Sequence, residues 1–191
     1  MIFRLTAKLA RKIGLDPLPL LSRVKGKDPL LDWSAHLFTV QRTQYILVTN
    51  SESLYSLVMP GRGITTGRQF VHSVGTGLQA FVAAQGSNLM GVKDLPWQGR
   101  DTFFSKANDR RILGSMNDFI FQAKIRLEEG QQTPLEVSFY LNETPMSYLK
   151  HRSPKEVFRQ LLLQEGEPSG HGQRADNVIY LNKVRPTAPK G

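Results

Sequence analysis

The sequence contains no cysteine. That excludes disulfides, zinc–thiolate centres and iron–sulfur ligation, and it suits a reducing cytoplasm. Histidine is scarce as well: His36, His72, His151 and His171 lie far apart and show neither HxH nor HExxH spacing. A metal site would need His, Asp or Glu drawn together by the fold, so no metal is expected. No apolar run approaches the ~20 residues of a membrane span, because "FVHSVGTGLQAFVAA" is interrupted by His72, Gly75 and Gly77. The expectation is therefore a soluble, cytoplasmic chain with no membrane partner. The "GTG" of that run lacks a preceding strand and the third glycine of a dinucleotide fingerprint, and no GK[ST] follows, so no cofactor is expected. The RGG runs, Lys/Arg blocks and aromatic-basic patterns of the common RNA modules are missing too.

What is present is one sizeable core in a chain of 191 residues with 40% hydrophobic content. The net charge is +9, and only residues 101–150 fall below neutrality, with six cations against seven acids. A basic excess spread in this way attracts nucleic acid or other polyanions, and it also serves solubility. The opening "MIFRLTAKLARKIGL" has no acid before Asp16 and resembles an organellar transit peptide or a membrane-surface helix. The preferred reading is a first strand, Ile2 to Leu5, followed by a short surface helix.

Residues 15–32, rich in proline, read as an ordered connector. "WSAHLFTV" (33–40), "QYILVTN" (44–50) and "SLYSLVMP" (53–60) read as a three-stranded antiparallel meander with turns at "QRT" and "NSES". Residues 69–86 have helical spacing, and Gly75 and Gly77 inside them imply either close packing or a broken helix. Residues 87–107 read as a loop. Ile112, Met116, Phe119 or Ile120, Ala123 and Leu127 form one face of a helix that Asn108 or Asp109 would cap. Residues 135–141, "LEVSFYL", alternate like a strand. Ser153, Pro154 and Glu156 open a helix over 153–166 with a full capping box. The segment from 167 on is Gly/Pro-rich and polar and reads as a flexible tail, apart from "NVIYLNKV", which could pair as an edge strand or bind a partner. The sum is an α+β fold: one domain over residues 1–166, an antiparallel sheet of three or more strands with three to four helices mainly on one face, and a tail over 167–191.

Taken in order, "FRLTAKLARKI", "DWSAHLFTV", "YILVTNSESLYSLVMPG" and "NDRRILGSMNDF" resemble an uncharacterised family of small bacterial proteins catalogued as a domain of unknown function, of the 6933 type. "LNETPMSYLKHRSPKEVF" (141–158) is similar to the segment that closes integrase-type transposase cores. Such enzymes need three carboxylates on two metal ions. The first hundred residues offer Asp16, Asp28 and Asp94 in proline-flanked connectors and Asp32 and Glu52 near strand ends, which makes no triad.

The most unusual stretch is "NDRRILGSMNDF" (108–119). Arg110 and Arg111 fall in the first turn of a helix, where the macrodipole disfavours cations. Free helix N–H groups beside two guanidiniums suit a phosphate or carboxylate. Equally, one arginine could pair with Asp109 or Asp118 and the other be solvated. The anion-binding candidates are Arg110, Arg111 and Asn117. If there is catalysis, His36 is the acid–base and Asp118 an orienting group, as in metal-independent phosphodiester cleavage by ribonucleases. The leading expectation is a nucleic-acid or polyanion binding module, with a mobile-element or toxin–antitoxin setting implied only by the resemblance. Its rivals are that ribonuclease-like enzyme and a protein-interaction module acting through a sheet edge or the tail.

Overall fold

The computed structural model describes residues 1–21, 28–85, 101–128, 130 and 132–165; the expected tail and its "NVIYLNKV" segment lie outside them. Strand β1 (Ile2–Leu5) and helix α1 (Ala7–Lys12) open the chain. A 3-10 turn at Pro29–Leu31 leads into β2 (Asp32–Val40), β3 (Thr43–Asn50) and β4 (Ser56–Pro60). Then come α2 (Gly67–Ala84), β5 (Phe103–Lys106), α3 (Arg110–Glu128), α4 (Pro134–Glu143), a 3-10 turn at Ser147–Leu149 and α5 (Pro154–Glu165).

The α+β class and the meander β2–β3–β4 are as expected. Gln41 and Arg42 close the first hairpin, both at positive φ, the twist a two-residue turn between right-twisted strands demands. Two features differ in detail. The sheet is mixed, in the order β4-β3-β2-β1-β5, with β1 parallel to both β2 and β5. The helices also occupy both faces. Trp33, Ala35, Leu37, Ile46, Val48, Leu57 and Met59 pack with residues of α1, α2 and α5. Phe38, Val40, Leu47 and Val58 pack with α3 and α4. Alternate residues of a strand face opposite sides, so a sheet apolar on both must be covered on both.

The second face is hard to read because half of it is polar. Ser105, Arg4, Ser34, Thr49 and Ser56 are in-register neighbours across all five strands, and all five are buried. Each finds partners, as buried polar groups must. Arg4 Nε and Nη2 donate to the Asp32 carboxylate at 2.8–3.1 Å, and Nη1 donates to the Leu21 carbonyl at 2.7 Å. Ser51 Oγ donates to Asp32 at 3.0 Å and lies 3.2 Å from Ser34 Oγ. Thr49 Oγ1 and Ser56 Oγ share a bond of 2.8 Å.

Both sheet edges are covered by the chain itself. The Asn142 side chain accepts from the Ser56 N–H and donates to the Ser56 carbonyl, and Ser138 Oγ accepts from the Val58 N–H. On the other side, the Lys106 N–H donates to the Pro19 carbonyl and Ser105 Oγ accepts from the Leu21 N–H. A partner strand would have to displace these groups.

Residues 134–143, read partly as a strand, are the helix α4. "TPLE" starts it: Thr133 and Glu136 form a capping box, with Pro134 in the first turn. Val137 and Leu141 then bury one stripe, and Ser138 and Asn142 aim a polar one at β4. In α2 the helix runs unbroken through both glycines. A Cβ on Gly77 would lie 2.9 Å from Leu57 Cδ2, whereas one on Gly75 would meet nothing within 4 Å. Close packing therefore explains Gly77 alone.

Candidate functional site

Helix α3 leaves the sheet directly after β5, where the Ala107 N–H donates to the Leu5 carbonyl at 2.9 Å. Asp109 is the cap: its Oδ1 accepts from the Arg111 N–H at 3.0 Å and from the Ile112 N–H at 3.4 Å. The first turn holds no acid. Arg110 and Arg111 are both exposed. Arg111 Nη2 lies 3.6 Å from Asp109 Oδ2 with 73% of its side chain accessible, and water screens so open a pair. Its guanidinium also lies 6.0 Å from the centre of the Tyr148 ring. Among the described residues Arg110 has no ion-pair partner.

Below the arginines a shallow cleft of about 490 Å³ opens between α3 and the segment after α4. Gly114, Ser115, Asp118 and Gln122 form one wall, and residues 144–148 form the other. Gly114 is exposed, and a Cβ there would meet nothing within 4 Å. Nothing inside the molecule therefore calls for glycine, although glycine costs such a helix about 1 kcal/mol relative to alanine.

The far wall continues into a tight loop. An isolated bridge joins Met146 to Arg152, and the His151 N–H donates to the Met146 carbonyl at 3.0 Å. At its tip Lys150 and His151 both take positive φ, 55° and 63°, as Gln41 and Arg42 do in the first hairpin, an uncommon conformation for residues other than glycine. The loop sets Tyr148 near Arg111, and Lys150 and His151 follow it exposed.

His36 stands elsewhere, on the sheet face that α3 covers. It is half-buried, and its Nδ1 is a buried atom with no hydrogen-bond partner. Burial, then the charges of Lys8 and Lys124, hold its pKa below the ordinary histidine value, so the imidazole is neutral at pH 7. No hydrogen bond or ion pair among the described residues joins His36 to Asp118, Asn117 or either arginine. Asp118 lines the cleft; Asn117 is exposed one position away. Asp118 and Tyr148 line one cleft, Arg111 lies 6.0 Å from the Tyr148 ring, and His36 is not among the lining residues. Among the described residues no three His, Asp or Glu side chains are grouped to hold a metal ion, and no helix is long and apolar enough to cross a membrane.

A family model described as a domain of unknown function (DUF6933) matches residues 2–157. The chain belongs to this family. No curated protein and no solved structure matches it. Among the described residues, the DUF6933 span contains the five strands, α1 to α4 and the first turn of α5. Both the cleft and the 146–152 loop fall within it. The sequence singles out Arg110, Arg111 and Asp118 of this DUF6933 domain; Tyr148, Gln122 and the 146–152 loop come beside them only in the fold. The available signal was "SYLKHR", an aromatic followed by three basic residues just before a capped helix.

Proposed function

We propose that this DUF6933 domain is a nucleic-acid binding module, and that it engages a single strand along the α3 cleft. The carrying observation is the Arg111 guanidinium 6.0 Å from the ring of Tyr148, which lines the cleft opposite Gly114. Strand binding without strong sequence preference combines a cationic track for phosphates with an aromatic ring on which a base stacks. Arg110, Arg111 and Lys150 supply the cations here, and Tyr148 the ring. Asp118, Gln122 and Ser115 offer hydrogen bonds to base edges in the cleft. A single strand is favoured over a duplex because the ring lines a cleft rather than standing on a protruding helix.

The test is binding of labelled single- and double-stranded RNA and DNA across a salt series, with an Arg110→Glu/Arg111→Glu variant alongside. Salt-dependent binding to single strands, lost in the variant, supports the reading. No binding at low salt overturns it. Intact substrate checked on a gel decides the ribonuclease-like alternative, in which His36 and Asp118 would be catalytic; the separation of those two residues favours binding over cleavage. A protein-interaction role has one observation behind it, the exposed Phe121 and Ile125 on α3. The covered sheet edges do not add to it.

A further inference from the structure

We propose that the outer stripe of α3 pairs with the same stripe of a second copy of this chain, the two helices running antiparallel about a twofold axis. Arg110, Gly114, Asn117, Phe121, Ile125 and Glu128 recur at three- and four-residue steps, which sets them along one side of the helix, and all of them are exposed. Phe121 is 67% exposed and Ile125 45%. The opposite side of α3 buries Ile112, Met116, Phe119 and Ala123 in the core. Both sides of the helix therefore carry apolar side chains, and among the described residues only the inner side is covered.

Charge and shape both make the stripe complementary to itself. Arg110 stands at its start and Glu128 at its end, and among the described residues neither has an ion-pair partner. Gly114 is open, with nothing within 4 Å of an added Cβ, so it offers a hollow to a bulky side chain from outside. The bulky side chains, Phe121 and Ile125, lie further along the same stripe. A twofold axis level with residue 120 brings these features together. At a rise of about 1.5 Å per residue, Arg110 then falls about 3 Å along the helix from Glu128 of the second copy, and Gly114 about 1.5 Å from its Ile125. The two Phe121 rings meet beside the axis. The antiparallel order also opposes the two helix dipoles, and an isologous contact of this kind closes at two copies. Arg110, which defies the dipole of its own helix, and Gly114, which no packing around it requires, both gain a partner.

The stripe includes Arg110 and Gly114, which the nucleic-acid reading also uses, so a bound strand would compete with the second copy. The pairing itself needs no nucleic acid and is tested without it. The experiment is sedimentation equilibrium of the full chain over a concentration series. The native protein should pass from monomer to dimer as its concentration rises. Phe121→Ser, a change at an exposed helix position, should raise the dissociation constant about thirtyfold or more. Arg110→Glu alone and Glu128→Arg alone should each weaken pairing, and Arg110→Glu/Glu128→Arg should restore it, because the charges then meet in reverse. Both charge reversals suit the dipole of α3, so the fold survives them. A monomer at every concentration, a dimer indifferent to Phe121→Ser, or single reversals that the double variant does not rescue would each overturn the proposal. None of these results bears on whether a strand binds the cleft.

Discussion

The Arg111 guanidinium lies 6.0 Å from the centre of the Tyr148 ring, which sets the first turn of α3 beside the 146–152 loop. If the ring stacks a base, Tyr148→Ala weakens single-strand binding by about 1–3 kcal/mol, whereas Tyr148→Phe keeps most of the affinity. Arg111→Ala lowers the slope of log affinity against log salt by about 1. Fluorescence anisotropy over a salt series measures both. Equal losses for Ala and Phe at position 148 would argue against stacking.

Gly114→Ala separates stability from function. A Cβ there meets nothing within 4 Å, so the helix gains about 1 kcal/mol in urea unfolding. The same methyl stands in the cleft, and affinity for a strand should fall. A gain in stability with unchanged affinity would place the strand elsewhere.

Arg4 is 3% exposed and Asp32 17%, so removing either partner strands the other in the protein. Arg4→Met and Asp32→Asn should each lower stability by about 3 kcal/mol. The double variant should recover part of that loss, a coupling that chemical denaturation can read.

Asn142 bridges α4 to the edge of β4 through both the N–H and the carbonyl of Ser56. Asn142→Ala leaves those groups with no partner in a buried place and costs about 3 kcal/mol. Hydrogen exchange at the Ser56 amide should accelerate in step. Unchanged protection would mean that the edge is held by other contacts.

Glu136 and Glu156 hold their carboxyls below the ordinary glutamate range, through hydrogen bonds from the backbone and then the side chains of Thr133 and Ser153 respectively. A depressed carboxyl contributes stability above its unfolded value, near pH 4.3, and that contribution is lost as pH falls through the folded value. Thermal unfolding below about pH 4.5 should therefore show a steeper decline in the native protein than in Glu136→Gln/Glu156→Gln. Parallel curves would show that the capping boxes do not titrate in this window.

Much of this fold is legible from local signals. The meander, the strand-then-helix opening, α2, an α3 start at Asn108 or Asp109 and the Ser153 cap all follow from periodicity and capping chemistry. What escaped depends on distant residues. "FFSK" is a strand because β1 offers it a parallel edge, which no window of four residues announces. The second sheet face hides because Ser34 and His36 interrupt its apolar pattern. The buried row from Ser105 to Ser56 exists only when five separate strands are laid in register. Residues 135–141 alternate like a strand, yet the "TPLE" cap before them starts a helix. At the site, the two arginines stood out by defying the helix dipole. Tyr148 did not, since only the tertiary fold sets it against Arg111.

The most direct measurement is backbone amide mapping of the native protein with a short single-stranded oligonucleotide. The account predicts saturable shifts concentrated at Gly114, Ser115, Asp118 and Tyr148, absent in Arg110→Glu/Arg111→Glu. Saturable shifts that leave those four amides unmoved, or no shifts at low salt, would contradict it.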